Sequence, residues 1–208
     1  MSHVTTPTPN PSSPASPHRW SHHRVPPDHL HPDQLCRRGS VLVEAAMIFP
    51  ILMLITFGII EFGMAYGNAA TVSSATRSGA RLGATGYTPA ADKRTFVTTM
   101  GVAVRRDLSA LSSGTPQEMW VYRATAGVPT ACTAANRCWL MTWNTTTKSW
   151  STPSGGWSDP NACGTKLDSV GVYVKAQHRF FSGFFGSTKV ITYRTTIRVE
   201  PLPSDQCL

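Results

Sequence analysis

Charged residues are scarce in this chain, and acidic residues are the scarcest: 11 of the 208 residues are Asp or Glu, against 19 Lys or Arg. The carboxylates lie scattered along the sequence, so no pair of them indicates general acid–base catalysis. Six of the seven histidines precede residue 32, which leaves His178 alone in the remainder. The sequence has no P-loop, no G-x-G-x-x-G and no G-x-S-x-G motif. We therefore predict no enzymatic activity, no catalytic residue and no cofactor, although a Ser–His–Asp set built on His178 stays open.

The charge that is present is mostly positive, +8 overall with a pI near 9.6. After residue 39 the chain carries 15 basic and 9 acidic residues, a net charge of +6. Such a charge permits nucleic-acid binding in principle. The sequence nevertheless has no basic cluster with interleaved aromatic residues and no zinc-finger spacing. We expect no nucleic-acid partner, and anionic polymers of the cell envelope match the charge better.

Large apolar residues are almost absent from the first 35 residues, which are rich in Pro, Ser, Thr and His. Such a segment cannot bury enough apolar surface to offset the entropy lost on ordering. We therefore expect residues 1–39 to form a disordered leader. Its clustered histidines could hold a transition metal weakly, but a solvated leader fits the composition better, and we predict no metal site. They are His3, His18, His22, His23, His29 and His31.

Residues 41–60 form a long apolar run in which Glu44 is the only charge. As a helix rising about 1.5 Å per residue, this run spans roughly 30 Å, the thickness of a bilayer core. The apolar part of a secretory signal is shorter, about 7–15 residues, and normally lies near the chain terminus. We therefore predict one transmembrane helix that stays in the mature protein. Glu44 either snorkels to the headgroups or, as a costly charge near lipid, has a function.

A basic pair, Arg37 and Arg38, precedes Gly39, and Glu44 is the fifth residue after Gly39. This arrangement resembles the processing site of type IV prepilins and pseudopilins, which a membrane aspartyl peptidase cuts after the glycine. Across residues 39–81 the sequence is similar to the TadE-like pilus-assembly family, pseudopilins of Flp-type (tight-adherence) pilus systems. The motifs that carry this resemblance are Val43-Glu44-Ala45-Ala46-Met47-Ile48-Phe49-Pro50, Gly58-Ile59-Ile60-Glu61-Phe62-Gly63 and Ser78-Gly79-Ala80-Arg81.

The resemblance implies a minor pilin or pseudopilin that is cleaved between Gly39 and Ser40 and takes part in assembling an Flp-type pilus. Ala45 follows Glu44 where the major Flp pilins have tyrosine, which points to the minor class. Glu44 would meet the α-amine that cleavage creates. The implied partners are the prepilin peptidase, other pilins, the membrane platform of pilus assembly and membrane lipid. Alternatively, Gly39 only breaks the helix, and the chain is a membrane-anchored envelope protein with an independent ligand- or polymer-binding domain.

Arg37 and Arg38 closely precede the apolar run, whereas the first basic residues after it are Arg77 and Arg81. This asymmetry favours an N-terminus in the cytoplasm and an extracytoplasmic C-terminal domain. Cys36 belongs to the leader, whereas Cys132, Cys138, Cys163 and Cys207 fall in that domain. An even number in an oxidising compartment predicts two disulfides. The short C-x5-C spacing and the terminal position of Cys207 favour pairing Cys132 with Cys138 and Cys163 with Cys207. A four-thiolate zinc site is the alternative, but its usual paired C-x2-4-C spacing is absent.

The apolar run should continue as one helix over residues 40–86, ending near Gly86 and Pro89 and kinked by Pro50. Gly63 and Gly67 either allow close contact between helices or are merely tolerated. A second, amphipathic helix should start near Pro89 and Asp92 and pack on a sheet. Its apolar positions recur at helical spacing and are Phe96, Met100, Val104, Leu108 and Leu111.

Strands are predicted over residues 119–125, 139–144, 169–180 and 191–199, with a loop over residues 150–160. The last two strands alternate apolar and polar residues and should form an antiparallel hairpin of a half-covered sheet. Their connection is rich in phenylalanine, which either tucks under the sheet or forms a contact patch for a neighbouring subunit or lipid. We expect tucking; the residues are Phe180, Phe181, Phe184 and Phe185.

These elements predict an α+β, pilin-like fold: a long N-terminal helix with a membrane-spanning first half, and a second amphipathic helix packed on a small antiparallel sheet. The domains would be a cytoplasmic leader over residues 1–39, a long helix over residues 40–86, and an extracytoplasmic α+β domain over residues 87–208. The last of these is long enough to bury one core.

Overall fold

A computed structural model describes residues 32–86, 92–125, 127–157, 160–163, 165–184 and 186–207, with side chains from residue 39 onward. Residue contacts divide the chain into two units, Met1–Ile48 and Phe49–Leu208. Several predictions lie outside the described residues: disorder over residues 1–31, the leader histidines, the side chains of Cys36, Arg37 and Arg38, and the roles of Pro89 and Phe185.

Helix α1 covers Pro32–Thr85 and contains one proline, Pro50. It begins eight residues before the predicted start at Ser40, because no proline interrupts residues 33–49 and proline is well tolerated at a first helical position. It ends near the predicted residue: the Gly86 N–H donates to the Leu82 carbonyl at 2.8 Å. The kink at Pro50 stays a prediction.

Helix α2 covers Lys93–Leu108 and begins at an N-cap, Asp92, whose carboxylate accepts the Thr95 N–H at 3.1 Å. That bond satisfies one of the free donors of the first turn. One face of α2 is buried, as the predicted periodicity requires, and its members are Val97, Met100, Gly101, Val104 and Leu108. Leu111 lies beyond the end of the helix, although it still packs against the core.

The strands form one antiparallel sheet in the order β3-β2-β1-β5-β6, with β4 also paired to β2. The strands are β1 Gly114–Arg123, β2 Cys138–Asn144, β3 Ser149–Trp150, β4 Ser154–Gly156, β5 Ser169–Arg179 and β6 Thr188–Arg198. In the two central strands Val121 lies opposite Val172, and Met119 lies opposite Val174. Strands β5 and β6 pair antiparallel, with Val172 opposite Thr195, which confirms the hairpin predicted for the last two strands.

One face of this sheet carries the core. Alternate β5 residues Val170, Val172 and Val174 are buried in the core, as the period of two predicts, and the first two face glycines of α1. The other face carries cross-strand pairs, among them Trp120 and Tyr173, whose ring centroids are 4.7 Å apart. The architecture is α+β, with a long apolar helix and a second helix on an antiparallel sheet, which confirms the predicted fold class.

Two strands were not predicted. Residues 150–160 were expected to be a loop, yet β3 ends in this range and β4 lies within it. Both are two or three residues long and exist by pairing with β2: Trp150 lies opposite Trp143, and Gly155 lies opposite Trp139. Strands this short have no periodicity of their own, so their sequence gives no strand signal.

Candidate functional site

The N-terminal part of α1 exposes its apolar side chains. Among the described residues one helix, Gly39–Thr85, is long and apolar enough to cross a membrane, with a mean hydropathy of 2.3 along its most apolar stretch. A core helix of a soluble protein would bury such side chains. The exposure therefore supports membrane anchoring; the exposed residues include Leu42, Met47, Phe49, Ile51, Leu54 and Ile59.

The predicted processing and assembly residues, Gly39, Ser40 and Glu44, all lie on this exposed part of α1. A Cβ atom at Gly39 would meet no atom within 4 Å. Because α1 is helical on both sides of Gly39, this glycine does not break the helix, contrary to the alternative interpretation. No described residue forms a hydrogen bond or an ion pair with Glu44, so its pairing role stays a prediction, as does cleavage.

The C-terminal part of α1 meets the domain through small residues. A Cβ atom on Gly79 would lie 2.5 Å from Val104 Cγ2, and one on Gly83 would lie 2.6 Å from Met100 Cε. These two glycines, one helical turn apart, let α2 and β5 approach the α1 backbone closely. The glycines singled out from the sequence, Gly63 and Gly67, would meet no atom within 4 Å, so their role in contacts between helices remains open.

A buried polar cluster joins α1 to the end of the sheet. The Asn68 Nδ2 amide donates to His178 Nδ1 at 2.9 Å, while Asn68 Oδ1 accepts the Ser112 N–H at 3.1 Å. The Ser113 hydroxyl lies 3.2 Å from the same His178 nitrogen. Because an amide nitrogen can only donate, Nδ1 is the acceptor, and the neutral ring carries its proton on Nε2.

Glu61 extends this cluster to the connection between β5 and β6. Its side chain is 1% exposed, and its Oε1 atom accepts the backbone N–H of Ser182. Among the described residues, Glu61 Oε2 and His178 Nε2 are buried without a hydrogen-bond partner. A buried carboxylate is tolerated only when hydrogen bonds or charges compensate it. The bond from Ser182 provides such compensation, and it ties the connection between β5 and β6 to α1.

Burial lowers the pKa of His178, the charge of Glu61 raises it, and the charge of Lys189 lowers it. The net direction is downward, so the ring is neutral at pH 7. Ser113 and His178 are hydrogen-bonded, as a nucleophile and base would be, but His178 is 1% exposed. No described acid bonds the other ring nitrogen, so the residues do not form the relay of a Ser–His–Asp set.

The structure pairs the cysteines as the spacing favours. Cys132 bonds to Cys138 with Cα atoms 5.1 Å apart, and Cys163 bonds to Cys207 with Cα atoms 5.6 Å apart. Four paired cysteines leave no thiolate for zinc. Among the described residues no group of three or more His, Cys, Asp or Glu side chains could hold a metal ion.

The phenylalanines of the connection after β5 do not all tuck under the sheet. Phe180 is half-buried and packs edge-on against His178, with ring centroids 4.9 Å apart. Phe181 and Phe184, in contrast, are 84% and 68% exposed. The expectation of tucking is therefore wrong for these two. The Ser182 N–H bond to Glu61 holds the backbone between them on α1, and both rings lie outside the core.

Sequence reasoning missed Glu61, Asn68, Gly79 and Gly83 as contact residues of α1. A signal existed: these residues recur at helical spacing along one face of α1, where large apolar residues give way to small and polar ones. Their partners could not be read from the sequence, because Glu61 and Ser182 are 121 positions apart.

The fold, the exposed apolar helix and the disulfides describe a class: a protein with a disulfide-bonded α+β domain and, among the described residues, one candidate spanning helix that supports membrane anchoring. Residues 39–81, all within α1, match the model of the family described as TadE-like protein, which confirms the resemblance. This family suggests involvement in Tad pilus systems, implies association with pilus-assembly components and is not known as enzymatic. No curated protein and no solved structure matches the chain significantly.

Proposed function

We propose that this protein is a TadE-like minor pilin, or pseudopilin, that takes part in assembling an Flp-type pilus after cleavage by a prepilin peptidase. One observation carries the proposal: the family-matched residues 39–81 coincide with a single helix that is exposed and apolar first and packed into the domain afterwards. Such a helix anchors a subunit in lipid while its domain is already folded. The same exposed side chains can later pack against neighbouring subunits.

Cleavage is proposed between Gly39 and Ser40. Arg37 and Arg38 precede this bond in sequence, and their charges favour the cytoplasmic edge of the membrane. The bond lies within α1, so a peptidase must unwind the helix locally to reach it. Glycine makes that unwinding easier, since it is a poor helix former, and it lets the catalytic groups approach the backbone.

Glu44 is proposed to pair with the α-amine that cleavage creates at Ser40, on the same or a neighbouring subunit. It is exposed among apolar side chains and has no described partner in its own chain. An ionised group in lipid is tolerated when it is paired. The amine therefore supplies the missing charge and gives assembly a preference for cleaved subunits.

The proposed topology has the N-terminus in the cytoplasm, residues 41–60 in the cytoplasmic membrane and the α+β domain outside. Its partners are the prepilin peptidase, other pilins, the assembly platform and lipid. Two disulfides in the domain support the external placement, because disulfides persist in oxidising compartments.

The intact mass and N-terminal sequence of the protein from its native membrane test this proposal. We expect the mature chain to begin at Ser40 and to lack Cys36. Gly39→Leu should retain the leader, whereas the matched control Gly63→Leu, at an uncrowded position on the same helix, should be processed normally. A wild-type chain that still carries its leader in a peptidase-competent host would overturn the pseudopilin proposal.

A groove on the domain supports the second candidate, an anchored envelope protein whose domain binds an anionic polymer. The groove has a volume of about 750 Å³, and its lining includes Arg105, Arg106, Lys148 and Trp143; none of the described lining residues is acidic. Cations beside an aromatic ring suit an anionic ligand with apolar faces. Salt-sensitive polymer binding by a protein that keeps its leader would favour this candidate.

A further inference from the structure

The segment after β5 exposes apolar surface at a defined place on α1. We call residues 180–184 the aromatic loop. Phe181 and Phe184 are largely exposed, and they lie on either side of Ser182, whose N–H is bound by Glu61. Large apolar side chains that remain exposed together mark a contact surface.

The position of the aromatic loop along α1 is fixed from two sides. Glu61 directly follows the apolar run 41–60, so the Ser182 bond holds the loop backbone within one side-chain length of the end of this run. The edge-on contact between Phe180 and His178 fixes the start of the loop to the buried polar cluster. The loop is therefore held where α1 leaves the proposed bilayer core.

The residues around the loop match the chemistry of a membrane interface. Tyr66 is 80% exposed on α1, about 9 Å beyond Ile60 along the helix axis, and tyrosine is enriched at headgroup depth. Arg179 is the last residue of β5, Lys189 is the second residue of β6, and both are exposed. No acidic residue occurs between them in the sequence, so the charge suits anionic headgroups.

We propose that the aromatic loop rests on the bilayer surface, with Phe181 and Phe184 inserted at the boundary between lipid headgroups and acyl chains. Lipid is the occupant because the loop lies beside the end of a segment that already exposes its side chains to acyl chains. Glu61 is a positioning residue that holds the loop at this depth. The inference rests on membrane insertion of α1, not on cleavage or pilus assembly.

Photocrosslinking of the full-length protein in nanodiscs of phosphatidylethanolamine and phosphatidylglycerol tests the proposal. Benzoylphenylalanine replaces Phe181 in the test protein, Ile55 in a positive control and Val102 in a negative control. Val102 is also exposed but belongs to α2, which contacts α1 at Gly79 and Gly83, 18 and 22 residues beyond Glu61. We expect lipid adducts at positions 181 and 55, several-fold above those at position 102.

Adducts at position 181 to a second copy of the protein, or a lipid yield no higher than at position 102, would overturn the proposal. Adducts at position 55 show separately that α1 is inserted, so failure of the loop inference is distinguishable from failure of membrane anchoring. Because purified protein is used without pilus components, the result does not depend on the proposed role in assembly.

A second pair of variants tests the positioning role of Glu61. Glu61→Ala removes the acceptor of the Ser182 N–H, whereas Glu61→Gln keeps an oxygen that can accept it. With benzoylphenylalanine at position 181, we expect Glu61→Ala to lose most of the lipid adducts and Glu61→Gln to retain them. Equal yields in both variants would show that Glu61 does not position the loop.

Discussion

The two parts of α1 differ in composition and in surroundings. Residues 41–60 carry mostly large apolar side chains, and nearly all of them are exposed; residues 61–85 are rich in Ala, Ser, Thr and Gly and bury much of one face, including Glu61 and Asn68. In water, large apolar side chains drive burial and carboxylates stay outside. The exposed apolar side chains of the first part therefore support membrane anchoring, whereas the second part packs into the domain.

This difference separates two kinds of residues by what they stabilise. Contacts of the second part, such as Gly79 against Val104, hold the domain together within one chain. Side chains of the first part contact little of their own chain and are available to lipid or other subunits. Changes in the domain and in the second part should therefore alter domain stability, whereas changes in the first part should alter only insertion and assembly.

The largest effect on domain stability should come from the disulfide between Cys163 and Cys207. It joins residues 44 positions apart, whereas Cys132 and Cys138 are 6 apart. Loop-closure entropy then predicts a loss of about 4 kcal/mol without the long-range bond and about 2 kcal/mol without the short one. Denaturant unfolding of the two double Cys→Ala variants in micelles, followed by tryptophan fluorescence, measures both. A larger loss from the short loop would contradict the argument.

Glycine substitutions test which positions of the second part of α1 are packed against the domain. Gly79→Ala places a Cβ atom 2.5 Å from Val104 Cγ2, and overpacking of this kind costs about 1–3 kcal/mol. Gly63→Ala meets no atom within 4 Å and should be neutral or stabilising by up to about 1 kcal/mol, as alanine is the better helix former. The same unfolding measurement separates them. Equal losses of stability would mean that the two positions are packed alike.

The pH dependence of stability tests the buried cluster. Burial lowers the pKa of His178 in the folded state, so the unfolded chain binds more protons once the pH falls below the ordinary histidine value of about 6.5. Stability contributed by the neutral ring is therefore present at pH 7 and lost on acidification. His178→Gln should flatten the stability change between about pH 7 and pH 5.5. An unchanged pH dependence of stability in that variant would show that a group other than His178 causes the loss.

The smallest effect on domain stability should come from Glu44→Gln. The side chain touches none of the described residues through a hydrogen bond or ion pair, so the unfolding midpoint, membrane insertion and cleavage should stay close to wild type. Association with partner subunits, measured by co-purification from the native membrane, should weaken because the α-amine loses its countercharge. Normal piliation in this variant would contradict the proposed pairing of Glu44 with the α-amine.

Much of the fold could be predicted because apolar residues recur at a regular spacing along its long helices and strands. Alternation of Val170, Val172 and Val174 placed β5 almost to the residue, and the apolar spacing around Met100 identified α2. Where length or periodicity was lacking, prediction failed. Strands β3 and β4 form only by pairing with β2. Helix α1 begins in the polar segment before the apolar run, where no apolar periodicity marks its start.

The candidate site could likewise be predicted only in part. Local motifs identified the apolar helix, the family resemblance and the cysteine pairs. The contacts of Glu61 and His178 could not be predicted, since each depends on residues more than a hundred positions away. Hydrophobicity alone favours tucking Phe181 and Phe184 under the sheet over the alternative of a contact patch, yet both rings are exposed. The backbone bond from Ser182 to Glu61, which lies between them, is a long-range contact that the sequence does not reveal.

The attachment of the domain to α1 also has a mechanical consequence. The contacts at Glu61, Asn68, Gly79 and Gly83, together with the Glu200 N–H bond to the Ala84 carbonyl, are distributed along roughly 35 Å of helix. A force applied along the axis of α1 therefore loads these contacts together in shear rather than opening them one after another. A subunit pulled from the membrane by its helix would carry its folded domain with it.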